Sequence, residues 1–288
     1  MNKKQRNIRN RLLVFFIGIP AIFALLVLLP QANHAAAALA IILVSSIATG
    51  ELAGLFENHL TDYPGSRIVI PLLGMIFPVL WYLEGVNRIP VNTAVAIGVL
   101  AIALILGLQA FRRDPRAFAH IKGIASLHIL LLLYPGIFLA YILRIATLPM
   151  SSHLLVIFVI TVYLNDSAAY AGGMLFGKGN SGLLPISPNK SIAGFASGLF
   201  ASGLVTTSAS LLYPGLFPGG WITALPFGLI IGCVAIIGDL AESAIKRSAA
   251  QKDSGSIIPG RGGLLDSIDS LAYAAPFFYY GYLFLQGA

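Results

Sequence analysis

Nine stretches of this chain are apolar for long enough to cross a hydrocarbon layer, near 12–30, 35–56, 68–84, 91–111, 124–143, 150–172, 192–212, 221–245 and 269–287. That feature decides what the chain can become. A spanning helix needs about 20 apolar residues, so most of the 288 residues are committed to helices in lipid and no soluble domain of ordinary size fits beside them. Only 10% of the residues are charged, against roughly 25% in a soluble domain. A water-soluble globule is excluded, and the expected fold class is an all-α polytopic integral membrane protein with about nine transmembrane helices.

Orientation follows from where the positive charges fall, because cytoplasmic loops collect Lys and Arg. With the N-terminus cytoplasmic, sixteen of the eighteen Lys and Arg residues lie in inner loops, leaving only Arg88 and Arg144 outside. Missing or adding one central span would swap the later loops and remove most of that excess. The formal charge of +7 is therefore assigned to membrane-flanking loops and not to a nucleic-acid partner. The first stretch has basic residues before it and Ala32-Asn33-His34-Ala35 after it, but it is longer than the apolar core of a signal peptide and reads as a retained anchor. A lone cysteine, Cys233, excludes an intramolecular disulfide and a cysteine-based metal site. Lying inside an apolar run, it reads as packing.

The chain changes character along its length. Residues 1–149 read as a transmembrane scaffold of about five helices, with short or simply basic loops and turns such as Tyr63-Pro64-Gly65. Residues 150–288 read as a catalytic region with cytoplasmic loops at 173–191 and 246–268. Mixed polar chemistry concentrates there, at 165–194 and 239–270.

The richest segment is Gly238-Asp239-Leu240-Ala241-Glu242-Ser243-Ala244-Ile245-Lys246-Arg247. At about 3.6 residues per turn, positions 239, 242, 243 and 246 stand on one helix face. Two carboxylates, a hydroxyl and an amine meet where the eighth span reaches the cytoplasm. Salt bridging of Asp239 or Glu242 to Lys246 would explain part of this, but a charge ending an apolar run is costly without a function. A polar segment with Lys252 and Asp253 follows, closing on Pro259-Gly260-Arg261-Gly262-Gly263. Glycines admit an anion to backbone N–H groups and Arg adds a two-pronged phosphate donor. Asp266 and Asp269 then share one face at the start of the last span. Capping accounts well for one of them; the pair can also hold a divalent cation. Three aspartates with Lys246, Arg247, Lys252 and Arg261 suit a polyphosphate partly neutralised by Mg²⁺.

Upstream, Asn165-Asp166-Ser167-Ala168-Ala169-Tyr170 puts a carboxylate into an apolar span. The alternative to function is a buried Asp166 bonded to Asn165, Ser167 or Tyr170. Gly172 to Lys178 fits G-x-x-x-x-G-K, but Gly179 follows where Ser or Thr is required and no hydrophilic βα unit surrounds it, so a Walker loop is rejected. Lys178, Ser187 and Lys190, set among Gly and Ser-Pro turns, are candidates for phosphate contact. His34, His59, His120, His128 and His153 show no zinc-hydrolase spacing. Glu51, inside the second span, faces a cavity, a subunit contact or a polar packing neighbour.

At these residues the chain resembles the phosphatidate cytidylyltransferases, the CDP-diacylglycerol synthases. The signature S-x-x-K-R-x4-K-D, P-G-H-G-G, D-R-x-D of that family stands here as Ser243, Lys246, Arg247, Lys252, Asp253, Pro259-Gly260-Arg261-Gly262-Gly263, Asp266-Ser267 and Asp269. Its upstream pattern matches Asp166, Ala169-Tyr170, Phe176-Gly177-Lys178 and Ser187-Pro188-Asn189-Lys190-Ser191. The motifs cover roughly residues 165–270. The resemblance implies a polytopic, dimeric enzyme of the inner membrane, if bacterial, that transfers the cytidylyl group of CTP to phosphatidic acid at the cytoplasmic leaflet, giving CDP-diacylglycerol and pyrophosphate. It implies that Asp239, Asp266 and Asp269 bind Mg²⁺ and a second cation such as K⁺, that Ser243 and Lys246 assist there, and that the basic, glycine-bearing loop holds phosphates. Family members usually carry His at the position of Arg261, Arg at that of Ser267 and Glu at that of Ala193. Arg for His keeps a donor but removes a proton carrier, so these departures bear on substrate preference and rate. Three other readings stay open at this level: a CTP-dependent lipid-alcohol kinase, a transporter with a midplane cation site at Asp166 and Glu51, and a catalytically weak assembly partner.

Overall fold

A computed structural model describes residues 19–56, 69–111, 121–182, 184–258 and 262–287. Among these the chain is helical, with two isolated β-bridges and no strand. In chain order the helices are α1 (Ile19–Val27), α2 (Gln31–Phe56), α3 (Val69–Gly85), α4 (Thr93–Leu108), α5 (Ile121–Leu131), a π-helical stretch (Leu132–Phe138), α6 (Leu139–Ile145), α7 (Ser151–Phe176), α8 (Ile192–Leu212), α9 (Trp221–Ser248) and α10 (Leu265–Gln286).

Among the described residues, six helical stretches are long and apolar enough to cross a membrane: Gln31–Phe56, Thr93–Phe111, Ile121–Ile145, Ser151–Phe176, Ile192–Leu212 and Trp221–Ser248. They match six of the nine expected spans. The other three are helical where described. The first is helical over Ile19–Val27, and the rest of its N-terminal half lies outside the described residues. The third is a shorter apolar helix, Ile70–Gly85. The last, α10, is long enough but carries Asp266, Asp269 and four tyrosines, which lower its hydropathy. The loops expected at 57–67 and most of 112–122, with His59, His120 and the Tyr63-Pro64-Gly65 turn, lie outside the described residues.

By packing, the chain forms two compact units, Met1–Thr147 with Ala249–Ser267, and Leu148–Ser248 with Ile268–Ala288. In the first unit, α2 packs on α3, and both pack on the continuous rod made by α5, the π stretch and α6. Phe77, Trp81, Ala94, Leu132 and Ala140 form its core, with the Trp81 ring edge-on to Tyr141 at 4.6 Å. Prolines inside helices withhold N–H donors, so carbonyls one turn back must find others. Pro78 deprives the Gly74 carbonyl, and the buried Ser45 hydroxyl stands 2.6 Å from it. The same hydroxyl reaches the carbonyl of Pro135 in the π stretch. At the far end of α3 the buried Glu84 accepts the Ala94 N–H at 2.7 Å and faces Arg144 at 3.4 Å.

In the second unit α7 packs on α8 and α8 on α9, through glycines and small hydroxyl residues. Lipid gives helices no hydrophobic reason to associate, so close backbone approach supplies the contact. A Cβ added at Gly228 of α9 would stand 2.0 Å from Thr206 Oγ1 and 2.6 Å from the Ser202 carbonyl oxygen of α8. Phe158, Phe227 and Phe278 close the aromatic core, with centroids 5.0–5.1 Å apart. Cys233 is exposed on α9 and does not pack inside the helices as expected. An outward thiol suits a face turned to lipid, where it behaves as a small apolar group.

Candidate active site

The second unit contains a recess of about 380 Å³. Helix α7 contributes Asn165, Asp166 and Tyr170; the segment before α8 contributes Asn189, Lys190 and Ser191; α9 contributes Asp239. Local sequence explains the placement. Ser191 is extended and its hydroxyl accepts the Gly194 N–H at 3.1 Å, which caps α8 and sets Lys190 immediately before the helix. The loop into it is pinned by the Gly182 N–H on the Lys190 carbonyl at 3.3 Å and the Ile192 N–H on the Asn180 carbonyl at 3.1 Å. Ser187 joins two consecutive turns, donating its N–H to Leu184 at 3.0 Å and accepting from Lys190 at 3.1 Å.

Across the recess, Lys190 Nζ stands 2.5 Å from Asp239 Oδ2. The two side chains are 22% and 36% exposed, so water competes with the pair. Such pairs contribute about 0–1 kcal/mol, which leaves both groups available to a more highly charged ligand. Behind them Asn165 is fully buried, donating from Nδ2 to Ser202 Oγ at 2.8 Å and to the Gly232 carbonyl at 3.3 Å. Its Oδ1 has no hydrogen-bond partner.

Asp269, one turn into α10, is buried and lies in the electrostatic field of Asp239, Asp166 and Lys246. Its Oδ1 accepts the Ser270 N–H at 2.6 Å. Glu242, also buried, forms an ion pair with Lys246 one turn along α9. The face expected from the spacing of 239, 242 and 246 is therefore present, but its two carboxylates take different partners. Asp239 pairs with Lys190 of another element, and Glu242 takes Lys246. Ser243 is half-buried, while Arg247 and Lys178 are exposed. Among the described residues no three Asp, Glu, His or Cys side chains stand close enough to hold a metal ion by themselves. Asp269 with like charges beside it is nonetheless suitable chemistry for a hard divalent cation whose remaining ligands are phosphate oxygens and water.

The first unit holds the remaining signature residues. Asp266 folds back on the loop before it: its carboxylate accepts the Ser254 N–H at 2.9 Å and the Gly263 N–H at 2.7 Å. Both bonds tie the start of α10 to the loop that precedes it. Lys252 and Asp253 are exposed and border a shallow polar recess with Gly54, Leu55, Gln251, Ser254 and Gly255. Gly262 pairs with Ile258 in a short bridge. Arg261, with Pro259 and Gly260, lies outside the described residues.

Two residues stand out that sequence reasoning left aside or undecided. The sequence suggests Asn165 only as a bonding partner for Asp166; its burial depends on Gly198 and Gly232 of two other helices, which no local pattern reveals. For Glu51 the sequence leaves a cavity, a subunit contact and packing open. Glu51 accepts the Leu264 N–H at 2.9 Å and the Leu265 N–H at 2.8 Å, more than 200 positions away in sequence.

Comparison with known proteins bears on the whole chain. Residues 9–285 match the sequence profile of the Cytidylyltransferase family. The chain is similar to the phosphatidate cytidylyltransferase of Bacillus subtilis, 29% identical over 242 residues, covering 82% of this chain and 85% of that one. It is 40% identical over 116 residues to the enzyme of that name from Helicobacter pylori, covering 40% of this chain and 42% of the relative. With the Staphylococcus aureus enzyme of the same name it shares 44% over 116 residues, 40% of this chain and 43% of the other. In these last two matches the chain spans about two-fifths of the relative's length.

Proposed function

Because this chain belongs to the cytidylyltransferase family, we propose that it transfers the cytidylyl group of CTP to phosphatidic acid, giving CDP-diacylglycerol and pyrophosphate. The observation that carries this reading is the recess of the second unit, where Lys190 and Asp239 face each other beside Asp166. A polyanionic nucleotide needs cations on one wall and a carboxylate-held cation on the other, and this recess offers both kinds of group.

A lipid phosphate is already an anionic nucleophile and needs no strong base. One of its oxygens attacks the α-phosphorus of CTP, the bond from that phosphorus to the bridging oxygen breaks, and pyrophosphate leaves with the electron pair. The barrier lies in bringing anions together and in the charge that builds on the leaving group. Lys190 is placed to bind a phosphate of CTP. When it does so it leaves Asp239, which then has a free carboxylate. Asp239 and Asp269 are the residues that would hold Mg²⁺, with Asp166 adding negative charge beside them. Mg²⁺ supplies neutralisation and orientation of the phosphates. Lys246, held by Glu242, adds a fixed positive charge near Asp269. Ser243 lies on the same helix, one turn from Asp239.

The roles of Asp266 as a cation ligand and of Lys178, Ser187, Arg247, Lys252, Asp253, Arg261, Gly262 and Gly263 in phosphate binding rest on the family signature. So do a second cation such as K⁺ and a homodimeric state. The count of nine spans, the cytoplasmic N-terminus and the inner-membrane location rest on the apolar stretches and on the distribution of Lys and Arg.

The site assignment is tested with Asp239→Asn, which keeps size and removes charge. Loss of one electrostatic contact to developing charge costs about 100-fold in turnover or more, while loss of a half-exposed ion pair costs at most about 1 kcal/mol of stability. CTP-dependent lipid labelling should fall by that factor with the melting temperature nearly unchanged. Full activity in Asp239→Asn would remove Asp239 from the centre.

A further inference from the structure

We infer that Glu51, in the second apolar stretch and far from every signature residue in sequence, is a positioning residue for the reaction: its carboxylate sets the start of α10 and the loop that precedes it. The inference rests on the function proposed above.

The first N–H groups of any helix lack intrahelical partners and are normally satisfied by a residue just before the helix. At α10 the donors come instead to Glu51. Leu264 N–H donates to Oε1 at 2.9 Å and Leu265 N–H to Oε2 at 2.8 Å, and the Ser254 hydroxyl adds a third contact at 3.3 Å. Both oxygens are used, as a neutral amide in the same place could not be, since only one of its two heads accepts. The backbone closes tightly around this carboxylate. A Cβ at Gly255 would stand 2.5 Å from Glu51 Oε1, and one at Gly263 would stand 2.6 Å from Oε2. A side chain at either place would have to displace the carboxylate, so the two glycines form a socket shaped to it.

What the socket fixes is a segment rich in signature residues. Ser254 and Gly263 are the residues whose N–H groups Asp266 accepts. Two carboxylates, Glu51 from α2 and Asp266 from α10, thus hold the loop at its two ends, and Lys252 and Asp253 immediately precede the first clamp. A residue needed only to hold helices together in lipid would use van der Waals contact or a hydroxyl. An ionised group near the end of a span is costly unless its bonds determine something. Here they determine the position of Asp266 and of the chain leaving Lys252.

The test compares wild type with Glu51→Gln, which preserves volume, and Ser254→Ala, which removes only the weakest of the three contacts. Both are purified in detergent and matched for folded fraction. Hydrogen exchange at Leu264 and Leu265 is read first, because it needs neither CTP nor Mg²⁺. Exchange there should accelerate at least tenfold in Glu51→Gln, with protection in α3 and α4 unchanged. Turnover per folded molecule should then fall at least tenfold, the Mg²⁺ concentration for half-maximal rate should rise, and Ser254→Ala should move both in the same direction by less. Unchanged exchange at Leu264 and Leu265, or faster exchange with turnover per folded molecule within threefold of wild type, would overturn the inference. If Glu51→Gln does not fold, Ser254→Ala with unaltered exchange and rate overturns it alone. Wild type that turns over no CTP while the exchange result holds would contradict the proposed function and leave the socket standing.

Discussion

At the residue scale, the informative contrast is between two ion pairs on α9. Glu242 and Lys246 are one turn apart, and their pairing was legible because helical spacing puts them on one face. Asp239 and Lys190 are 49 positions apart and meet because α8 and α9 pack together, which no local period encodes. The same holds for Glu51 and the start of α10. Charged residues in apolar stretches were therefore recognisable as candidates, while their partners on other elements were not. Lys190 sits on the recess wall and its partner is partly exposed, so its removal should act on substrate binding more than on folding. Lys190→Met is expected to raise KM for CTP about tenfold, equivalent to one charge-assisted hydrogen bond, with a melting temperature within a few degrees of wild type. Steady-state kinetics with thermal melting checks this; an unchanged KM would place CTP elsewhere.

Elements were more legible than partners. Stretches expected to cross the membrane over 192–212 and 221–245 appear as α8 (Ile192–Leu212) and α9 (Trp221–Ser248). The stretch over 124–143 appears as a rod interrupted by a π segment at Pro135, because proline withholds a donor and the helix widens locally. The stretches near 68–84 and 269–287 were counted as spans on their apolar runs; the first forms a shorter helix, and tyrosines and aspartates make α10 more polar than that count assumed. Packing between elements depends on small residues, and this gives a sharp expectation. Gly228→Ala places a methyl group into Thr206 and the backbone of Ser202, which should destabilise the unit by roughly 1–3 kcal/mol. Gly107→Ala in α4 meets nothing within 4 Å and should be neutral or slightly stabilising. Detergent melts of the two variants side by side measure the difference, and equal melting temperatures would refute close packing of α8 on α9.

For the whole molecule, apolar length and charge asymmetry constrain the architecture, while the spaced signature and the family match constrain the chemistry. Neither alone separates transfer of the α-phosphoryl with its nucleoside from transfer of the γ-phosphoryl, since both reactions need CTP, a hard cation and a basic recess. The reaction is decided by which bond breaks. Purified protein in lipid vesicles, given CTP, phosphatidic acid and Mg²⁺, should form CDP-diacylglycerol and pyrophosphate in equal amounts, both identified by mass and by phosphorus resonance. Release of CDP with a newly phosphorylated lipid, or no consumption of CTP by folded wild-type protein, would contradict the account.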